Sequence, residues 1–182
     1  MTQPLKADAP ATPETLPPLP AGVSIRQALP SDVAAVHALL RPYVAQRLLL
    51  SRTEAELVEL TRHGFVAEAA IGDGSACPEG ASAAEGTSRE TPEPLRRCVG
   101  FSAVEIYSPK LAELQSLAVH HDFRGTGIGR HLVRACVGRA RDLGVMEVLA
   151  ISSSEDFLKS CGFDYSLPDQ KKALFCQLRP RL

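Results

Sequence analysis

The residues whose types and spacing most plainly suit chemistry are Leu117-Ala118-Val119-His120-His121-Asp122-Phe123-Arg124-Gly125-Thr126-Gly127-Ile128-Gly129. An apolar strand ends, a short polar link follows, and a glycine-rich turn opens a long amphipathic segment. Glycine adopts backbone conformations closed to other residues, so successive N–H groups in such a turn can point into one concavity. A helix starting there adds its partial positive charge, and together they cradle a pyrophosphate. Arg124 stands where it adds a full charge. The same glycines would also suit a tight turn that serves packing alone, and G-x-G-x-G by itself does not separate the two.

Two nucleotide schemes fail on spacing. A dinucleotide fold needs its glycines directly after the strand and an acid closing the next strand. Here His120 to Arg124 intervene between Val119 and Gly125, and Glu147 precedes the body of its strand. A phosphate-loop nucleotidase needs Gly-Lys-Ser/Thr, which does not follow. A metal is not expected. The histidines (His37, His63, His120, His121, His131) show neither H-x-x-x-H nor H-E-x-x-H spacing, and the cysteines (Cys77, Cys98, Cys136, Cys161, Cys176) show no C-x-x-C.

The elements that must position this turn read as an alternation of strands and helices. Val23–Arg26 is a short strand. Ser31 is placed to cap a helix whose Val33, Val36, Leu39 and Leu40 share one face. Thr53 and Glu56 fit a capping box ahead of Leu57 and Leu60. Phe65–Ile71, Cys98–Tyr107 and Glu113–Val119 read as strands. Gly127–Leu143 reads as a helix with Ile128, Leu132, Val133, Cys136, Val137 and Ala140 along its apolar stripe. The β-branched run Val145–Ile151 suits a buried strand. A short helix from Glu155 to Ser160 ends at Cys161-Gly162-Phe163, where the glycine takes a left-handed C-cap. Ala173–Leu178 is a last strand. The class is α/β with a mixed sheet flanked by helices.

Two segments stand apart. Residues 1–21 are studded with Pro4, Pro10, Pro13, Pro17, Pro18 and Pro20, so they cannot nucleate a helix or pair as an inner strand, and a disordered tail is expected. Residues 72–97 carry almost no bulky apolar side chain and interrupt two strands, which predicts a flexible hairpin insertion. The domain proper is expected at 22–182.

The 182 residues carry 20 basic and 21 acidic side chains, for a formal charge of -1. That balance argues against a nucleic-acid partner. No apolar run approaches the ~18 residues of a membrane span, and the first residues do not read as a signal peptide. Scattered, odd-numbered cysteines suit a reducing cytoplasm better than a disulfide framework.

Arg124-Gly125-Thr126-Gly127-Ile128-Gly129 resembles the R/Q-x-x-G-x-G/A signature of the GCN5-related N-acetyltransferases, preceded as usual by an L-A-V strand. Ser152-Ser153-Ser154-Glu155-Asp156-Phe157-Leu158-Lys159-Ser160-Cys161-Gly162-Phe163 resembles that family's short helix ending in G-F. The resemblance covers about residues 22–178. It implies acetyl-CoA as donor, with the amides of residues 124–129 on the pyrophosphate and the backbone of Leu117, Ala118 and Val119 pairing with the pantetheine arm like an added strand.

Within the family, Leu40-Arg41-Pro42, Leu49-Leu50-Ser51-Arg52-Thr53, Ala112-Glu113-Leu114-Gln115-Ser116-Leu117-Ala118-Val119-His120 and Lys171-Lys172-Ala173-Leu174-Phe175 with Arg179 resemble the stand-alone N-acetylglutamate synthase type. The implied reaction moves acetyl to the α-amine of L-glutamate, or L-glutamine, at the head of arginine biosynthesis. An amine acceptor arrives protonated near neutral pH and must lose a proton before attack, so a carboxylate base is needed. The resemblance puts Glu113 there. It puts Arg52 and Arg179 on the substrate carboxylates, with Arg41 and Lys172 as second choices. A tyrosine acid for the departing thiolate is missing from the short helix, which has Phe157 and Leu158. Ser152 and Ser154 lie close by, with Ser154 the candidate proton donor, although helix capping is the simpler role for it. A homodimer is a further expectation. Two other readings stay open: acetyl transfer to another amine, and a CoA-binding regulatory module without turnover.

Overall fold

The computed structural model describes residues 16–70 and 96–165. Two compact units divide the chain at Ala150/Ile151. In the first unit, β1 (Val23–Gln27), β2 (Gly64–Ala70), β3 (Arg96–Ser108), β4 (Leu111–Val119) and β5 (Glu147–Ala150) form one sheet in sequential order. The first three pairings are antiparallel and β4 with β5 is parallel, so the sheet is mixed. The parallel step needs a crossover, which α3 (Ile128–Asp142) supplies.

Apolar spacing decides which face each helix covers. On α1 (Val33–Ala45) the buried residues are Val33, Val36, Leu39 and Leu40, the stripe the sequence predicts. They pack with Leu57 and Leu60 of α2 (Glu54–Thr61) against Val66, Phe101, Ala103 and Ala118. Their sheet neighbours Ala67 and Val99 point the other way, where Ile128 and Leu132 of α3 meet them. α1 and α2 therefore cover one face and α3 the opposite one.

Several boundaries differ from expectation for identifiable reasons. Ser31 does not cap α1. Residues Pro30–Asp32 form a 3-10 turn, and Asp32 occupies the cap position. Its carboxylate is turned back onto the Leu29 N–H at 2.7 Å and the Arg26 guanidinium at 2.7 and 2.8 Å. Arg26 also reaches Glu68 at 2.5 Å, and its hydrogen bonds to Asp32 hold that carboxyl below the ordinary carboxylate range. The predicted capping box is present: the Thr53 hydroxyl accepts from the Glu56 N–H, and Glu56 accepts from the Thr53 N–H at 2.7 Å. The run Val145–Ile151 is not a buried strand. β5 covers only Glu147–Ala150, is half-exposed, and forms the outer edge of the sheet among the described residues.

The proline-rich stretch divides. Residues 1–15 lie outside the described residues, whereas Leu19 packs against the α3-side core. Arg96 and Arg97, at the end of the expected insertion, are strand residues of β3. In the second unit α4 (Glu155–Lys159) ends as the sequence predicts. Gly162 has φ +89°, its N–H donates to the Lys159 carbonyl, and Phe163 donates to Leu158 at 3.1 Å, a Schellman closure. The expected last strand, Ala173–Leu178, lies outside the described residues.

Candidate active site

The glycine turn is built to leave amides free. Gly125 and Gly127 take φ +76° and +88°, values that require glycine here. Around Gly125 a side chain would meet nothing within 4 Å, so the turn is open on that side. The Thr126 hydroxyl is bonded to the Phe123 carbonyl at 2.7 Å, which fixes the curl. Gly127 caps α3, and the first-turn amides of a helix have no partner within it. Tyr43 of α1 holds the turn from behind. Its hydroxyl donates to the Val119 carbonyl at 2.5 Å, and its ring lies 5.3 Å from the Arg124 guanidinium carbon.

β4 is deformed beside this turn. Ser116 has φ +55°, uncommon for a residue with a side chain, and the β3–β4 register slips around it. Before the bulge, Glu113 and Gln115 face the α1–α2 side. After it, Ala118 takes that side, while Leu117 and Val119 pack toward α3. β5 pairs with Leu111–Leu114 only. From Gln115 onward, the far edge of β4 carries no strand among the described residues. A pantetheine-like arm fits such an edge, and a pyrophosphate fits the adjoining turn.

Next to this edge the α1–α2 face carries one polar cluster. Arg52 Nη2 donates to Gln115 Oε1 at 2.5 Å. Gln115 Nε2 donates to Glu105 Oε2 at 3.1 Å and lies 3.3 Å from the Tyr107 hydroxyl. That hydroxyl donates in turn to Glu113. Burial, then the Glu113 carboxylate, push the Tyr107 phenol up to about 12. Glu105 and Glu113 are direct cross-strand partners. Arg52 Nε is buried with no hydrogen-bond partner, an atom still waiting for an acceptor. A groove of about 530 Å³ opens between α2 and β3, lined by Arg52, Glu56, Leu60, His63 and Glu105 among others. Burial and the nearby arginines lower the His63 pKa, keeping that ring uncharged near neutrality.

The structure brings together some of the expected site residues and leaves others apart. Glu113 and Arg52 share the cluster. Leu117, Ala118, Val119, Arg124, Gly125, Thr126, Gly127, Ile128 and Gly129 form the strand end, turn and helix start, with the Ile128 side chain in the core. Arg41 is exposed on α1 and does not line the groove between α2 and β3. Arg179 and Lys172 lie outside the described residues. Ser154 stands at the N-cap of α4, but its side chain makes no capping bond; its N–H donates to the Ser152 hydroxyl at 3.0 Å instead. His120, His121 and Asp122 bring possible ligand atoms within 4.8 Å of one another, but Arg97 sits on His120 Nε2. Sequence reasoning missed Tyr43, Glu105, Tyr107 and Gln115. Polar residues at alternate positions, Glu105-x-Tyr107 and Glu113-x-Gln115, were the available signal, since alternate strand residues share a face.

Comparison with known proteins agrees with this arrangement. Residues 89–163 match the model of the Acetyltransferase (GNAT) family. The chain is 27% identical over 143 residues to an uncharacterized N-acetyltransferase of Chlorobaculum tepidum, covering 79% of this chain and 76% of that one. It is 27% identical over 139 residues to the amino-acid acetyltransferase of Mycobacterium tuberculosis, covering 76% and 67%. A Mycobacterium tuberculosis protein crystallised with CoA and NLQ superposes with a TM-score of 0.59 at 25% identity, covering 79% of this chain and 73% of that one. With the glycine turn capping α3, the bulged β4 and the mixed sheet, the chain has the GNAT fold, and its residues 89–163 match that family of acetyltransferases.

Proposed function

We propose that the protein transfers acetyl from acetyl-CoA to the α-amine of a small amino acid of the glutamate–glutamine type, the acetylation that opens arginine biosynthesis when glutamate is the acceptor. The observation that carries this reading is the polar cluster. A carboxylate, Glu113, and a carboxylate-gripping arginine, Arg52, stand on one face, joined through Gln115 and the Tyr107 hydroxyl, beside the open edge of β4. The likeness to an amino-acid acetyltransferase supports the acceptor class.

The chemistry follows in order. The acceptor carboxylate binds Arg52, whose planar fork suits a two-point contact. Glu113 takes one proton from the acceptor ammonium. The freed amine attacks the thioester carbonyl; a C–N bond forms and the C–S bond breaks. The second amine proton goes to the CoA thiolate by way of solvent, because a thiol with pKa of about 8.5 departs without a strong acid. An N–H on the unpaired β4 edge is placed to stabilise the thioester oxygen as charge develops on it.

The test is purified protein with acetyl-CoA against a panel of free amino acids, following CoA release and the acetylated product by mass. Turnover confined to glutamate, glutamine or close analogues is expected. Equal turnover on all amino acids, or none on either of these, defeats the reading. One observation favours a second one: Glu105 and Glu113 face each other without a cation, which would suit a polyamine. Arg52 in the same cluster opposes that acceptor, and spermidine in the panel decides it. Acetyl-CoA binding without product would select a regulatory module.

A further inference from the structure

The cluster is unevenly charged, and this bears on which amino acid it accepts. Among the described residues, no salt bridge involves Glu105 or Glu113; their hydrogen-bond partners are the neutral Gln115 amide and Tyr107 phenol. As direct cross-strand partners, their side chains begin about 5 Å apart and repel. An arriving ammonium relieves that repulsion. Once Glu113 has taken the proton, Glu105 remains charged in the groove. Arg52 is the cation tied to this cluster, through one amide that also holds Glu105, and its other terminal nitrogen lies 3.7 Å from Glu56, a further acid of the groove. Elsewhere in the groove Arg62 is paired with Glu59 at 3.2 Å, and His63 is aimed at Arg139. Among the described residues, an acceptor with one carboxylate therefore finds one arginine, and a second carboxylate finds Glu105.

We propose that Glu105 is a specificity-determining residue of the acceptor site, selecting amino acids with a single carboxylate over dicarboxylates. The inference rests on the amino-acid reading above. Gln115 is part of the device. Its amide offers an oxygen to Arg52 and a nitrogen to Glu105, so it keeps the guanidinium oriented until a substrate carboxylate replaces that oxygen.

L-glutamine and L-glutamate are the natural probes, because they are nearly isosteric and differ by one charge. Full-length protein, Glu105→Gln and Glu105→Lys are compared by kcat and KM on both, at saturating acetyl-CoA. The expected result is a kcat/KM for glutamine at least about 10-fold above that for glutamate, since like-charge contacts in an interface discriminate strongly. Glu105→Gln narrows the ratio through a lower KM for glutamate, with kcat on glutamine changed less than about threefold. Glu105→Lys inverts the preference. Glutamate preferred by the unaltered protein, or a ratio that Glu105→Gln leaves unchanged, overturns the role of Glu105 while the amino-acid reading stands. Failure of the unaltered protein to acetylate any amino acid, with acetyl-CoA still bound, overturns both.

Discussion

The Tyr107 hydroxyl donates to Glu113, and this bond helps to hold the proton on the phenol. Ionising the phenol would place two negative charges side by side, which with burial pushes Tyr107 up to about 12, so it remains a donor throughout the neutral range. Removing the carboxylate charge with Glu113→Gln leaves burial, the larger cause, in place. A spectrophotometric titration is expected to move the Tyr107 ionisation downward, part of the way toward 10, while the other tyrosines hold their midpoints. Catalysis supplies a second prediction at this scale. A positioned base contributes about 10²–10⁴-fold, so Glu113→Ala lowers kcat by that order at neutral pH and recovers partly at higher pH, where more of the amine is free. An unchanged pH–rate profile would remove Glu113 from the proton transfer. Arg52→Ala should act differently, raising the acceptor KM more than about 10-fold with the acetyl-CoA KM unchanged.

At the scale of elements, Ser116 matters more than its chemistry suggests. Its left-handed conformation is what turns Leu117 and Val119 away from the face that holds Gln115, and it sits where β5 leaves β4. A serine at φ +55° carries strain of order 1–3 kcal/mol. Ser116→Gly should relieve it and leave chemical unfolding neutral or slightly stabilised, whereas Ser116→Val, β-branched, should cost about 1–3 kcal/mol and raise the acetyl-CoA KM. Nothing in the residue type announced this bulge, because serine has no strong preference for that conformation. The apolar stripes of α1 and α3 and the Thr53–Glu56 box were legible because each is local and periodic. Ser31 misled because a distant partner, Arg26 on β1, draws the neighbouring Asp32 into an ion pair and reorganises the turn. The Glu105–Gln115 contact depends on strand register, which pattern alone does not fix.

The whole molecule adds a connection that no single element contains. The segment before β1 runs beside the start of α3: the Pro17 carbonyl lies 2.8 Å from His131 Nε2, and the Pro17 ring fills the direction a side chain at Gly127 would take, at 2.9 Å. Leu19 joins the core made by Ala67, Ala69, Val99, Ile128 and Leu132, beside Leu117 and Val119. Proline lowers the entropy cost of holding such a strap, so a proline-rich stretch can be ordered at its end without being a helix or strand. A variant beginning at residue 22 loses the half-buried Leu19 and the brace on the glycine turn. Burying a leucine contributes about 1.5–3 kcal/mol when complete, and half of that shifts the melting temperature of a domain this size by roughly 2–6 °C. Thermal unfolding should therefore fall by that amount. The acetyl-CoA KM should rise while the acceptor KM stays constant, since the strap touches the turn and not the Arg52 cluster. Leu19→Ala, which keeps the Pro17 contact, should reproduce most of the thermal loss and little of the KM change. An unaltered melting temperature in the shortened variant would show that the strap contributes nothing to either.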